Sequence, residues 1–318
     1  MDWLSLEKGH QMTHPLPIID GCLYLDNSQL EHFQTCCRQW EYAHVHKRVA
    51  SESAAQRFGK AVHKALEYRY NEPGFTVEID SGTMIQHGLD YLASNPCPTE
   101  EWRNGDQLTG LLQLYNKTYN TENFHIVKLG DRKFVEKPFD VPLAVFNYKG
   151  EKITVIYTGR IDLAVEKDGK LWVVDHKTSS MGGPSTSDTY YMSSQFLGYM
   201  WACYHKLKAQ PYGYCVNTLI SRKPTEKGTG KRFELTRDWY QKDWPLVQEW
   251  FQNTLQLIDE VFFHASKDHY PMKKVWCVGK FGKCQFYDVC SLPTPESRTL
   301  MLSSTMYKDN DWSPLKED

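Results

Sequence analysis

Residues 159–180, GRIDLAVEKDGKLWVVDHKTSS, read as two strands joined by a tight turn at Lys167-Asp168-Gly169-Lys170. Counted outward from that turn, Asp162 lies five residues before it and Asp175 five after it, so a closed hairpin sets the two carboxylates near one edge. Side chains alternate along a strand, which puts Asp175 and Lys177 on one face and turns His176 to the other. The apolar run Leu171-Trp172-Val173-Val174 marks the second strand as buried, and charge carried at the end of a buried strand is seldom idle. Two carboxylates beside an ammonium offer oxygen ligands to Mg²⁺ or Mn²⁺ and a cation to orient an attacking water, a set suited to phosphodiester hydrolysis. By spacing alone the same residues also read as a strand-end ion-pair cluster, because D-x-K tripeptides are common.

Working outward, period-two patterning predicts strands over 133–146, 153–165 and 171–177. Upstream, residues 28–48 read as a helix opened by Ser28, and 54–70 as a second helix with Phe58, Val62, Ala65 and Leu66 on one stripe. A region of helical insertion, 75–130, is interrupted at Asn95-Pro96-Cys97-Pro98. Downstream come a loop at 178–189, a helix at 190–208, a strand at 212–221 and a polar turn at 223–230. A short strand at 231–236 follows. The helix predicted over 238–265 carries Trp244, Val247, Phe251, Leu255, Ile258 and Phe262 at spacings of three and four. A cysteine-bearing loop, 270–292, and a polar tail, 293–318, close the chain. The expected architecture is a single α/β domain over 1–318.

The 159–180 stretch resembles the core of the PD-(D/E)XK nuclease superfamily, with Ile161-Asp162 at the "PD" position and Asp175-His176-Lys177 at the second motif. Within it the chain is most similar to the RecB-type nucleases and their CRISPR-associated iron–sulfur relatives. FGKAVHKALE (58–67) resembles the upstream helix motif of that branch, and SQFLGYMWA (194–202) its Q-x-x-x-Y motif, with Gln195 and Tyr199 one helical turn apart. VEKPF (135–139) resembles a weaker first-strand pattern containing Glu136. The resemblance implies a restriction-endonuclease-like mixed sheet flanked by helices. It also implies a divalent ion held by His63, Asp162, Asp175 and the backbone carbonyl of His176. Lys177 would position the attacking water, Gln195 and Tyr199 would organise substrate, and Glu136 would stand behind the ligands.

Cys277, Cys284 and Cys290 lie together in VWCVGKFGKCQFYDVCSL (275–292), with a fourth sulfur available from Cys36 or Cys37 far upstream. Four thiolates can hold a 4Fe-4S cluster or a structural Zn²⁺, and spacing does not separate the two. The resemblance implies the cluster, because iron–sulfur members of this branch place one cysteine before the nuclease core and three after it. Their upstream segment commonly reads Cys-Pro-Arg-x-aromatic, which Cys36-Cys37-Arg38-Gln39-Trp40 fits with Cys36 as ligand and Cys37 standing where Pro usually does, a departure that leaves Cys37 as the alternative ligand. Segments 28–48 and 270–292 would then form an iron–sulfur staple. Cys22, Cys97, Cys203 and Cys215 have no such grouping.

Across all 318 residues, 37 Lys and Arg oppose 39 Asp and Glu, a net charge of −2 that gives no whole-molecule attraction to phosphate. Basic stretches at 44–64, 221–232 and 273–283 nevertheless flank the motifs, with Tyr190, Tyr191, Trp276 and Phe281 nearby for base stacking. DNA, single-stranded or with free ends, is the expected partner, together with a separate helicase or recombination protein. The amino-terminal residues lack a secretory pattern and no apolar run reaches membrane-span length, so the expected setting is a reducing cytoplasm, including that of a virus-infected host. Viral replication, DNA repair and CRISPR adaptation all fit this reading. The rival from another class is a non-catalytic DNA-binding or recombination-complex subunit of the same fold, stabilised by zinc.

Overall fold

The computed structural model describes residues 16–72, 81–96, 102–182, 184–224, 231–279, 282–310 and 312. Cys97, Pro98 and Phe281, named above, lie outside them, as do residues 225–230 and 280–281 of the basic stretches. A short hairpin opens the described chain, β1 (Ile18–Ile19) and β2 (Cys22–Leu25), turning on Asp20 and Gly21, both at positive φ. The single helix expected over 28–48 is instead α1 (Asn27–Thr35), α2 (Cys37–Trp40) and a π-helical turn, Glu41–Val45. Its cap is the Asp26 side chain, which accepts the Gln29 N–H, rather than Ser28. Cys36 breaks the run by adopting extended backbone, and its sulfur accepts the backbone N–H of Lys273 at 3.4 Å.

After β3 (Arg48–Ala50), α3 (Ala54–Asn71) starts at a capping box between Ser53 and Gln56 and buries Phe58, Val62, Ala65 and Leu66. The helices α4 (Ser81–Ser94) and α5 (Gly105–Thr118) follow, and then three long strands: β4 (Val135–Tyr148), β5 (Glu151–Lys167) and β6 (Lys170–Ser179). Asp168 and Gly169, both at positive φ, form the two-residue turn between β5 and β6, as right-handed strand twist favours.

Part of the expected loop at 178–189 is helical, α6 (Pro184–Tyr191), and α7 (Ser194–Leu207) begins after Ser193. The strand expected at 231–236 runs on as β8 (Phe233–Gln241), antiparallel to β7 (Gly213–Ser221) along its whole length, so α8 (Trp244–Ser266) starts later than its pattern indicated. Residues 293–310 are not a bare tail. They contain α10 (Pro295–Leu302), which follows α9 (Tyr287–Ser291), and β9 (Tyr307–Asp309), paired antiparallel with β3.

The chain divides into two compact units. The first comprises residues 52–141 and 159–252. In it the end of β5 pairs antiparallel with β6, β6 runs parallel to β7, and β7 antiparallel to β8. The alternation of β6 shows which helices cover which face: the His176 ring stacks on Tyr70 of α3, and Lys177 lies over Phe196 of α7. The sheet is therefore sandwiched, α3 and α5 on one side and α7 on the other, with a core that includes Leu66, Leu111, Val165, Val174 and Leu219.

The second unit comprises residues 1–51, 142–158 and 253–318. Here β2 runs parallel to the start of β5, Cys22 opposite Thr154. Tyr42, Ala43, Phe286, Val289, Leu302 and Tyr307 form a small core. Arg48 clasps it by donating to the carbonyls of Leu302, Ser304 and Tyr307. No helix among the described residues is long and apolar enough to cross a membrane.

Candidate active site and cysteine pocket

In the first unit, the pairing of Leu163 with Val174 brings Asp162 level with Asp175 where the β5–β6 ladder runs out. Both carboxylates and His176 are buried. Asp162 Oδ2 accepts the backbone N–H of His176 at 2.6 Å, and the His176 carbonyl lies 2.9 Å from His63 Nε2. His63 reaches this point because α3 passes close to β6. A Cβ on Gly59, one turn earlier, would meet Thr178 Oγ1 at 3.1 Å. The other imidazole nitrogen, Nδ1, lies 3.2 Å from Glu136 Oε1 and 3.6 Å from Asp162 Oδ2. Lys177 Nζ sits 2.8 Å from Asp175 Oδ2.

Glu136 is drawn into the cluster by an unusual backbone. It stands in β4 at φ 47°, a conformation that costs a non-glycine residue on the order of 1 kcal/mol or more and tends to persist at functional sites. The sequence reading set Glu136 behind the ligands; in the fold its carboxylate is hydrogen-bonded to His63.

The electrostatics follow from burying three carboxylates together. Burial would pull the His63 pKa down, but Asp162, Glu136 and Asp175 outweigh it and hold it up at about 10. The ring is therefore an imidazolium that donates to Glu136 and to the His176 carbonyl. Burial, followed by Glu136 and Asp175, pushes Asp162 well above the usual carboxylate range against the opposing pull of His63. Burial lowers Lys177, yet Asp175 and then Asp162 raise it further, so it remains an ammonium. His176 is driven the other way, by burial first and then by the cations His63, Arg237 and Lys177, and stays neutral.

His63, Glu136 and Asp162 present ligand atoms that all lie within 4.8 Å of one another. One imidazole with several carboxylate oxygens and a backbone carbonyl suits a hard divalent cation such as Mg²⁺ or Mn²⁺. The surplus of buried negative charge, now balanced partly by the His63 proton, is what such a cation would neutralise. Of the residues the motifs singled out, His63, Asp162 and the His176 peptide converge directly, and Asp175 joins them through its pairing with Lys177 and its field at His63. Gln195 donates to Tyr199 Oη at 2.9 Å along α7, and the Tyr199 ring meets Phe139 edge-on at 6.0 Å.

In the second unit, Cys36, Cys277, Cys284 and Cys290 line one pocket with Gln39, Lys273 and Trp276. Cys37 is turned away, fully buried with its thiol 3.7 Å from the Phe33 carbonyl. Val278 and Gly279 pair antiparallel with Lys283 and Gly282, and the Cys284 N–H donates to the Cys277 carbonyl at 2.9 Å, which brings these two cysteines together. Burial pushes the Cys284 thiol up and the Cys290 thiol up to about 11, the latter against the pull of Arg38. None of the described cysteines forms a disulfide. Cys203 and Cys215 are core residues, and Cys22 is half-buried.

Several charges in the basic stretches are spent inside the protein. Arg48 holds the clasp, Arg57 donates to the Asn95 carbonyl, Arg222 pairs with Glu234, Arg232 bonds Gln107, and Lys273 bonds the Gln34 carbonyl. A run of positive letters is thus a weaker footprint for nucleic acid than its count implies.

A sandwiched mixed sheet with paired aspartates and a lysine on adjacent strands defines a class, the metal-dependent phosphodiesterase core. The family model of the PD-(D/E)XK nuclease superfamily matches residues 27–291, and the chain belongs to that superfamily. No curated protein sequence matches it. Among solved structures, it is similar to a candidate exonuclease from Eubacterium rectale at a TM-score of 0.51 and 12% identity, covering 89% of this chain and 93% of that one. It also aligns with SSO0001 at a TM-score of 0.25 and 13% identity, over 73% of this chain and 83% of that one, a superposition too loose to bear on the fold.

Proposed function

We propose that the protein is a Mg²⁺- or Mn²⁺-dependent deoxyribonuclease that works as an exonuclease. The observation that carries this reading is the convergence of His63, Glu136 and Asp162 on the His176 peptide, with the Lys177–Asp175 pair beside it. His63, Glu136, Asp162, Asp175 and the His176 carbonyl would hold the ion. Bound there, it would supply Lewis acidity toward the phosphoryl group and make an attacking water more acidic.

The chain's own groups do the rest. Lys177, held as an ammonium by Asp175, orients the water oxygen toward phosphorus and offsets charge that develops on the phosphoryl oxygens. The new bond forms between that oxygen and phosphorus as the bond to the leaving sugar oxygen breaks, the water giving up one proton to solvent and the leaving oxygen taking one from it. Gln195 and Tyr199, locked together, orient the strand being cut. Exonuclease action is favoured by the likeness to the RecB-type branch and by the candidate exonuclease from Eubacterium rectale. Degradation of end-labelled DNA with Mn²⁺ tests the reading: Asp175→Ala or Lys177→Ala should abolish it without unfolding the protein, and full activity in both would end it.

The four-cysteine pocket supports a 4Fe-4S cluster held by Cys36, Cys277, Cys284 and Cys290, with structural Zn²⁺ as the competing occupant. Iron content and visible absorbance after anaerobic purification decide between them. Its place is structural, tying residues near 36 to residues near 290. A reducing compartment suits such thiols, and DNA with free ends, delivered by a helicase or recombination partner, suits the nuclease.

A further inference from the structure

His176 stands between Asp175 and Lys177 with its side chain on the opposite face of β6. Register places it beside Asn217 on β7, and Asn217 beside Arg237 on β8, so three polar side chains form one row across three strands. Asn217 is fully buried in the middle of β7. Arg237 Nε donates to Asn217 Oδ1 at 3.2 Å. A guanidinium can only donate, so the amide oxygen must face Arg237 and the NH₂ must face the other way. That NH₂ donates to Tyr115 Oη at 2.9 Å and to His176 Nδ1 at 2.8 Å. His176 Nδ1 is thereby fixed as an acceptor, which only the neutral tautomer protonated at Nε2 provides.

Arg237 is held in turn by Glu122, which takes both of its terminal nitrogens, and by the hydroxyls of Tyr70 and Tyr115. The Glu122 carboxylate is 1% exposed. A buried ionic network of this kind is a poor device for stability, since apolar residues of similar volume often do as well or better. It is a good device for fixing one peptide in place. Both backbone groups of the anchored residue are used on the other side: the His176 N–H holds Asp162 and the His176 carbonyl faces His63.

We propose that Asn217 is a positioning residue of the metal centre. Clamped by Arg237 and Glu122, it grips the His176 ring and so sets the angle of the His176 peptide and the reach of Asp162, Asp175 and Lys177 on either side. The inference rests on the metal-site reading above and adds the residues that act through it. It predicts that loosening Asn217 weakens divalent-ion binding by about 10–100-fold, as loss of groups that orient metal ligands does, without changing DNA affinity.

Mn²⁺ affinity of the full chain, read from the electron paramagnetic resonance signal of unbound Mn²⁺, tests this independently of turnover. Asn217→Ala should weaken Mn²⁺ by at least about tenfold. Tyr115→Phe, which keeps its volume and removes one acceptor of the Asn217 amide, should weaken it less but measurably. It decides the matter if the alanine variant does not fold. Asp162→Ala serves as the loss-of-binding control. Wild-type affinity in both folded variants overturns the proposal. If the unmutated chain binds Mn²⁺ and cuts no DNA, the nuclease reading fails while the affinity comparison still decides this one; if it binds no Mn²⁺, both fall.

Discussion

Adding a single methyl group at Gly159, three residues before Asp162, should destabilise the protein through one identifiable contact. An alanine Cβ there would sit 2.9 Å from Phe139 Cζ and 3.1 Å from Cε1. Carbon atoms rest at about 3.5–4.0 Å, so the ring must retreat by roughly half an ångström or more. Phe139 is 1% exposed and its neighbour Tyr199 is tied to Gln195, so the retreat disturbs that pair as well. Overpacking of this kind costs about 1–3 kcal/mol, offset by the roughly 0.5–1 kcal/mol that alanine gains over glycine inside a regular element. A net loss of about 1–2 kcal/mol follows, readable in urea unfolding at constant m-value. The mechanism is pinned by a double-mutant cycle: Phe139→Leu makes room, so the pair should be less destabilising than the sum of the singles by at least about 0.5 kcal/mol. A Gly159→Ala protein as stable as the parent, or a cycle that closes to zero, would refute the reasoning.

Three further outcomes are expected. Lys177→Met should lower kcat by at least about 10²-fold while leaving Mn²⁺ affinity unchanged or tighter, because it removes a cation beside the carboxylates; an unchanged kcat counts against the role of Lys177. Cys284→Ala should give protein lacking absorbance near 400 nm, with a lowered Tm and an unaltered Mn²⁺ affinity; absorbance equal to the parent's would argue against a cluster in the pocket. His44 packs against Trp40 and His32 with Nε2 buried and unpartnered, and burial, then His32, pull its pKa down to about 3. The unfolded chain takes up this proton below about pH 6.5 and the native one does not until near 3, so stability falls on acidification across that window. Between pH 7 and pH 5, His44→Phe should therefore lose about 2 kcal/mol less than the parent in urea unfolding; identical losses would show that His44 is not the group responsible.

What was legible in the sequence is what local rules govern. The β5–β6 hairpin, its turn and the alternation of Asp175, His176 and Lys177 need no information beyond the residues involved. The break at Cys36 was illegible because its cause is distant: the sulfur is turned toward Lys273, 237 positions away. The place of Glu136 beside His63 was illegible for the same reason, since it comes from a backbone twist and from partners on other elements. The start of α8 was misplaced because its helical spacing bleeds backwards into 238–241, where pairing with β7 wins. Asn217 did leave a signal, a lone amide within Tyr214-Cys215-Val216-Asn217-Thr218-Leu219-Ile220, but only register links Arg237 to it, and only Arg237 links Glu122.

The discontinuity of the second unit carries a consequence for biosynthesis. Its pieces come from residues 1–51, 142–158 and 253–318, so it cannot close until the last of these has been made. With 237 positions between Cys36 and Lys273, and translation at about 5–20 residues per second, Cys36 waits roughly 10–50 s for the segment that will cover it. Throughout that interval it is an unprotected thiol on a nascent chain. Any occupant of the pocket must therefore arrive late, and a cell short of reducing power would damage this protein while it is still being synthesised.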